Sequence, residues 1–174
     1  CFYLRVNAKK TFQEILKAKF DLVRLAAYWD ELEPQDGVYD FRSLDWQIAE
    51  AASRQIPIVL SVGMKAPRWP EYFIPPWALK RLELRKGADV SRHAYLRERT
   101  LRFIETVVKR YRDEEAIRYW QVENEPLDRT GPGYWWIGPA FVTQEVKLVR
   151  RLDARGRPIL ITTVTYPNPL LRRF

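Results

Sequence analysis

The residues best suited to chemistry stand at 124–126, where a run of strand character over 117–123 stops at Asn124-Glu125-Pro126. Asn and Glu are poor strand residues, and Pro cannot continue a central strand because it has no N–H for the ladder. The spacing therefore leaves an amide and a carboxyl side by side at the carboxyl end of a strand. In a parallel α/β barrel that end is the catalytic face. Two tryptophans, Trp135 and Trp136, follow shortly, and Trp69 lies in an earlier proline-rich segment. Such flat rings in loops can stack on a ligand or simply anchor packing.

Other chemistries find little support. One cysteine, Cys1, rules out an internal disulfide framework and cysteine-cluster zinc sites. The single histidine, His93, lies among charged residues and reads as a solvated surface group, so neither a multi-histidine metal centre nor a Ser-His-Asp triad is expected. Carboxylates remain as the acid/base groups, with no cofactor and no metal.

With 174 residues, 47% hydrophobic and 30% charged, the chain has the balance of one ordinary globular domain. It holds no apolar run of the ~18 residues a membrane helix needs, so no membrane span is expected. No signal-peptide pattern opens the chain, which begins on Cys1 and is expected to lack its true start; the compartment is left open. The formal charge is +8, densest from Lys80 to Arg102. That stretch could attract a polyanion. The preferred reading is a solvated helix face laced with ion pairs, with no nucleic acid partner.

The elements that must position Glu125 follow in order. Residues 2–6 read as a first strand. Thr11 and Glu14 have capping-box spacing before a helix over 12–19 with Phe12, Ile15, Leu16 and Phe20 on one side. Residues 22–27 read as a buried strand. A loop over 30–42 then leads to a second helix, with Ser43 as cap and Leu44, Ile48, Ala51 and Ala52 facing inward. Residues 57–62 are continuously apolar, as a strand covered on both faces should be. Residues 64–76 carry four prolines and several aromatics, a packed excursion, with a short helix from Trp77 to about Arg85. Ser91 would cap a long helix with a stripe of Leu96, Phe103, Ile104, Val107, Val108 and Tyr111. After strand 117–123, Pro139 opens a fourth principal helix (Val142, Val146, Val149, Leu152), and 158–164 reads as a fifth strand. Strand and helix alternate throughout, so a parallel sheet with right-handed crossovers is expected. No glycine-rich phosphate loop follows the first strand, which favours a barrel over a doubly wound sheet.

Several segments, in this order, resemble a signature of the retaining (β/α)8 glycoside hydrolases: Val23-Arg24-Leu25, Tyr28-Trp29, Glu33-Pro34, residues 37–41, Leu44-Asp45 and Asn124-Glu125-Pro126. The clan includes the cellulase-like family five enzymes and the family forty-two β-galactosidases, and the Asn-Glu-Pro ending resembles family five more. The resemblance implies that Glu125 is the general acid/base and that Asn124 donates to the sugar 2-hydroxyl. It places Arg24 near the nucleophile and Trp69, Trp135 and Trp136 against an oligo- or polysaccharide. Glu33 and residues 39–41 would be loop architecture, and Glu123 structural.

The family's nucleophile is a Glu ending the seventh strand, whereas about five strands are legible here. A complete barrel usually needs about 250 residues. The expectation is a partial α/β barrel with four principal crossover helices, a single incomplete catalytic domain that does not turn over glycosides alone. Lacking its like-charged partner, Glu125 is expected to titrate closer to an ordinary Glu than in the whole enzyme. A non-catalytic carbohydrate-binding barrel and polyanion binding through residues 80–102 are the competing functions. Oligomeric state is not legible.

Overall fold

Three consecutive crossovers, each through a helix, join four parallel strands in the computed structural model, which describes residues 7–18 and 20–164. The elements are α1 (Ala8–Ile15), β1 (Val23–Ala26), α2 (Trp29–Leu32), α3 (Arg42–Ser53), β2 (Ile58–Val62), α4 (Pro76–Leu79), a 3₁₀ turn (Val90–Arg92), α5 (Ala94–Tyr111), β3 (Ile117–Val122), α6 (Pro139–Leu152) and β4 (Ile159–Leu160). The strand order, β1-β2-β3-β4, is the chain order. With right-handed crossovers, an order that never reverses puts every crossover helix on one face. A doubly wound sheet needs a reversal, and none is present among the described residues.

The core lies between that face and the helices. Leu25, Ile58, Leu60, Val62, Ile117, Trp120 and Val122 meet Leu44 and Ile48 of α3, Phe103, Ile104 and Val107 of α5, and Val142 and Val149 of α6. Because side chains alternate along a strand, Arg24, Val59, Ser61, Tyr119 and Gln121 fall on the opposite, inner face. The register pairs Arg24 with Val59 and Tyr119, and Ala26 with Ser61 and Gln121. A bulge at exposed Arg118 shifts β3 by one residue and keeps both rows in phase.

β2 is buried at all five positions, as its continuous apolar run requires. The predicted stripe of α5 is buried throughout, as are Val142, Val146 and Val149 of α6 and Leu44, Ile48 and Ala51 of α3. In the excursion after β2, Tyr72, Phe73 and Ile74 are buried. Phe73 N–H returns to Met64 O, and Lys65 bridges to Tyr72.

Several boundaries differ. The predicted strand over 2–6 lies outside the described residues. Asn7, not Thr11, caps α1: its side chain accepts the N–H of Lys10, which starts the helix a turn earlier and puts Thr11 inside it. Phe20 falls beyond the end of α1, off the helical period, and is exposed along with Ile15. β1 is only partly covered, since among the described residues it pairs on one side alone. α3 begins before Ser43, where Asp40 accepts the Arg42 N–H. The helix after the excursion is one turn, Pro76–Leu79. Ser91 does not cap α5. Its hydroxyl donates to Asp89 and accepts from the N–H of Gly138, tying the start of α6 to the 3₁₀ turn. β4 is two residues long; beyond it the hydroxyls of Thr162 and Thr163 and the N–H of Val164 bond the loop after β3.

Candidate active site

β3 ends at Val122, and the chain turns at once: Glu123 and Glu125 both have left-handed backbone, with φ of 57° and 49°. Such conformations in non-glycine residues cost about 1–3 kcal/mol and persist where neighbours hold them. Here the hold is visible. Glu123 N–H donates to Val62 O, Asn124 N–H to Lys65 O, and Glu125 N–H to the hydroxyl of Thr162 at 3.0 Å. The strand ends of β2 and β4 thus grip the turn from both sides.

The turn sends the three side chains different ways. Glu123 is fully buried; Oε1 accepts the N–H of Met64 at 2.9 Å and Oε2 that of Lys65 at 2.6 Å. Gly63 makes room for this carboxyl. A Cβ there would lie 2.3 Å from the Glu123 carboxyl carbon, and φ at Gly63 is +129°. Glu123 is therefore architectural, as expected. Asn124 is nearly buried, and its Oδ1 accepts from Gln121 at 3.3 Å and Thr162 at 3.4 Å. Those two donors fix the amide, leaving its NH₂ as the donating end.

Glu125 is half-buried, and its carboxyl is held above the usual range. Burial is the first cause. The Lys65 ammonium opposes it, Glu71 and Asp128 reinforce it, and Arg24 opposes it. Even without the distant partner, desolvation and two nearby carboxylates act on Glu125 in the direction such a partner would.

Lys65 has no solvent exposure. Its Nζ donates to the backbone carbonyls of Glu125 at 2.5 Å and Asp128 at 3.1 Å, and pairs with Glu71 at 3.5 Å. Burial lowers its pKa and Glu71 and Glu125 oppose that.

Arg24, on the inner face of β1, reaches across β2 to donate to Gln121 Oε1 at 3.4 Å. Gln121 in turn donates to Asn124 and to the backbone carbonyl of Glu123. Arg24 and Asn124 thus belong to one network, which the backbone N–H of Glu125 joins through Thr162. The tryptophans stand in three different settings. Trp69 is 58% exposed on the excursion after β2. Trp135 packs edge-on to Tyr72 at 5.4 Å and donates to Arg85 O. Trp136 lines a hollow of about 510 Å³ with Asp89, Arg92, His93 and Arg129.

His93 is not fully solvated: it is half-buried at the start of α5, and its Nδ1 has no partner. In the basic stretch, Arg99 is buried between Asp36 and Glu33, while Arg92 pairs with Asp89 and Arg97 with Gln144. Glu33 is also buried, accepting from Trp29 Nε1 and Gly37 N–H, in keeping with loop architecture. Among the described residues no group of three His, Cys, Asp or Glu could hold a metal ion, and no helix is long and apolar enough to cross a membrane.

Sequence reasoning passed over Lys65, Gln121, Asp128, Glu145 and Thr162. Two carried a signal. Lys65 follows Gly63 just past the end of a buried strand. Glu145 occupies the stripe of α6, three after Val142 and four before Val149, where an apolar residue belongs.

Solved structures with this arrangement of strands and helices define the fold class as the (β/α)8 barrel. A GH5_18 protein from Bifidobacterium longum subsp. infantis superposes with a TM-score of 0.66 over 93% of this chain and 40% of its own, at 16% identity, a likeness of fold alone. The polyextremophilic β-galactosidase of Halorubrum lacusprofundi gives 0.54 over 69% of this chain and 20% of its own, at 27% identity. Within that class the chain belongs to the β-galactosidase family, glycoside hydrolase family forty-two, whose profile matches residues 4–135. Beta-galactosidase BgaA of Clostridium cellulovorans is 34% identical over 117 residues, 63% of this chain and 18% of that protein. The chain thus spans less than a fifth of the length of the relatives it matches.

Proposed function

We propose that this chain supplies the acid/base half of a retaining β-glycosidase acting on β-galactosides, with Glu125 as general acid/base. The observation that carries this is a half-buried carboxyl at the carboxyl end of a central strand, raised by burial, its backbone held by Lys65 and Thr162. A general acid must keep its proton near neutral pH, and burial favours the neutral form. The names of the relatives supply the sugar.

In this reading Glu125 protonates the glycosidic oxygen and then, as carboxylate, activates water against the glycosyl-enzyme. Asn124, its Oδ1 already occupied, turns its NH₂ to the sugar 2-hydroxyl. Arg24, on the inner face, keeps the nucleophile ionised and oriented. The nucleophile is a second carboxylate beyond this chain, about 5 Å from Glu125 in the assembled barrel. The chain is then one incomplete catalytic domain, inactive alone. Trp69, Trp135 and Trp136 contribute sugar contacts.

The test is hydrolysis of an aryl β-galactoside by the full-length protein. Glu125→Ala should lower kcat by roughly 10²–10⁴, the usual weight of general acid–base catalysis, and added azide should restore part of it. An unchanged rate would remove Glu125 from the mechanism.

A further inference from the structure

α6 buries Phe141, Val142, Val146, Leu148 and Val149, and with them the whole side chain of Glu145. Neither carboxyl oxygen of Glu145 receives a hydrogen bond from an N–H or O–H donor among the described residues. An ionised carboxylate in that state is among the costliest arrangements a protein interior can hold. What faces it is Glu123, also fully buried and close enough for the two carboxyls to act on each other. Two carboxylates in contact cannot both be ionised, and a hydrogen bond between them requires a proton.

The surroundings say which group carries that proton. Glu123 accepts two backbone N–H bonds, one on each oxygen, and the charge of Lys65 favours its ionised form. Glu145 has no donor to satisfy a negative charge. Burial raises the pKa of both; Glu145 then acts to lower Glu123, whereas Glu123 raises Glu145 further. Lys65 and Tyr72, from the excursion after β2, are the other titratable groups facing Glu123.

We infer that Glu145 and Glu123 form a buried carboxylic acid–carboxylate pair, with the O–H of Glu145 donating to Glu123, and that this pair positions Glu125. The route is short. The Glu123 carboxylate holds the N–H groups of Met64 and Lys65, and so the excursion at the end of β2. The ammonium of that same Lys65 then holds the carbonyl of Glu125. Glu145 touches no reacting atom; it is a positioning residue, acting from the helix layer through Glu123. This gives a polar residue on an otherwise apolar stripe a reason to be there.

Infrared spectroscopy reads the proton directly. At neutral pH the intact protein should show the C=O stretch of a neutral carboxylic acid, moved to lower frequency in D₂O and missing in Glu145→Gln. A parent-minus-variant difference spectrum holding only carboxylate bands would overturn the pair. Amide hydrogen exchange reads the positioning. Glu145→Leu removes the donor, and exchange at Met64, Lys65 and Glu125–Asp128 should quicken roughly tenfold, about the loss of one hydrogen bond to a charged group. Glu145→Gln, whose amide still donates to Glu123, should exchange as the parent does. Unchanged exchange in Glu145→Leu, or equal acceleration in both variants, would overturn the positioning role. Should the Leu variant fail to fold, the Gln variant and the infrared band still decide.

The catalytic meaning of the pair rests on Glu125 being the acid/base, but neither measurement uses turnover. A failed assignment of Glu125 shows in the Glu125→Ala rate, and a failed pair shows in the spectrum.

Discussion

The ammonium nitrogen of Lys65 lies 2.5 Å from the backbone carbonyl oxygen of Glu125, so a buried cation at the end of one strand holds the main chain of the carboxyl at the end of the next. A charge without solvent exposure is tolerated because the carbonyl of Asp128, the carboxylate of Glu71 and the ring of Tyr72 share it. The same cation opposes the burial that raises Glu125. One side chain from outside the Asn-Glu-Pro turn thus contributes to both the geometry and the acidity of this site.

Lys65→Met should therefore act twice. Two carbonyls lose a charged donor, which costs about 1–3 kcal/mol, read from denaturant midpoints. Glu125 loses an opposing positive charge, so its pKa rises. A general acid works protonated, so the basic limb of kcat/KM in the full-length protein should move to higher pH. Glu71→Gln should move that limb the other way, since Glu71 raises Glu125.

Gly63→Ala should be poorly tolerated. The new Cβ would meet all three atoms of the Glu123 carboxyl within 2.6 Å, and φ of +129° disfavours any side chain. A loss on the order of 2 kcal/mol or more is expected from combined strain and overpacking, measured by urea unfolding.

Asp30 gives a pH signature. Burial, followed by Glu31, raises its pKa to about 6, and its Oδ1 is unpaired. Its unfolded value is about 4. Between those values the folded form holds more proton, so stability falls as pH rises from about 4 to about 6 and then levels. Asp30→Asn should flatten this slope and be more stable than the parent at neutral pH, with the advantage gone below about pH 4. Equal slopes in urea titrations of the two proteins would contradict this.

Arg99→Met should destabilise by about 3 kcal/mol, the usual result of removing one member of a buried ion pair. Arg99 is 9% exposed, and its loss takes a cation away from the buried carboxylate of Glu33, which keeps the Trp29 and Gly37 donors. Thermal unfolding of the variant measures it.

Much of this architecture is legible from local pattern. The run over 57–62 announces β2, the stripe from Leu96 to Tyr111 is the buried face of α5, and Pro126 marks where β3 must already have stopped. These hold because periodicity and proline act within a few residues of themselves. Helix starts were less legible. Asn7, Asp40 and Asp89 accept N–H groups ahead of the amides that Thr11, Ser43 and Ser91 would cap, and only the path of the chain decides where each helix begins.

By itself, then, the sequence determined the alternation of strand and helix, the end of β3 and the presence of a carboxyl there, since each depends on neighbours along the chain. Tertiary structure alone decided that Lys65 grips Glu125, that Glu145 meets Glu123, and that Arg24 reaches Gln121 across an intervening strand. Those pairs join residues 60, 22 and 97 positions apart. A charged side chain carries no mark of whether it will face water or another charge. Burial is decided by what the fold brings opposite.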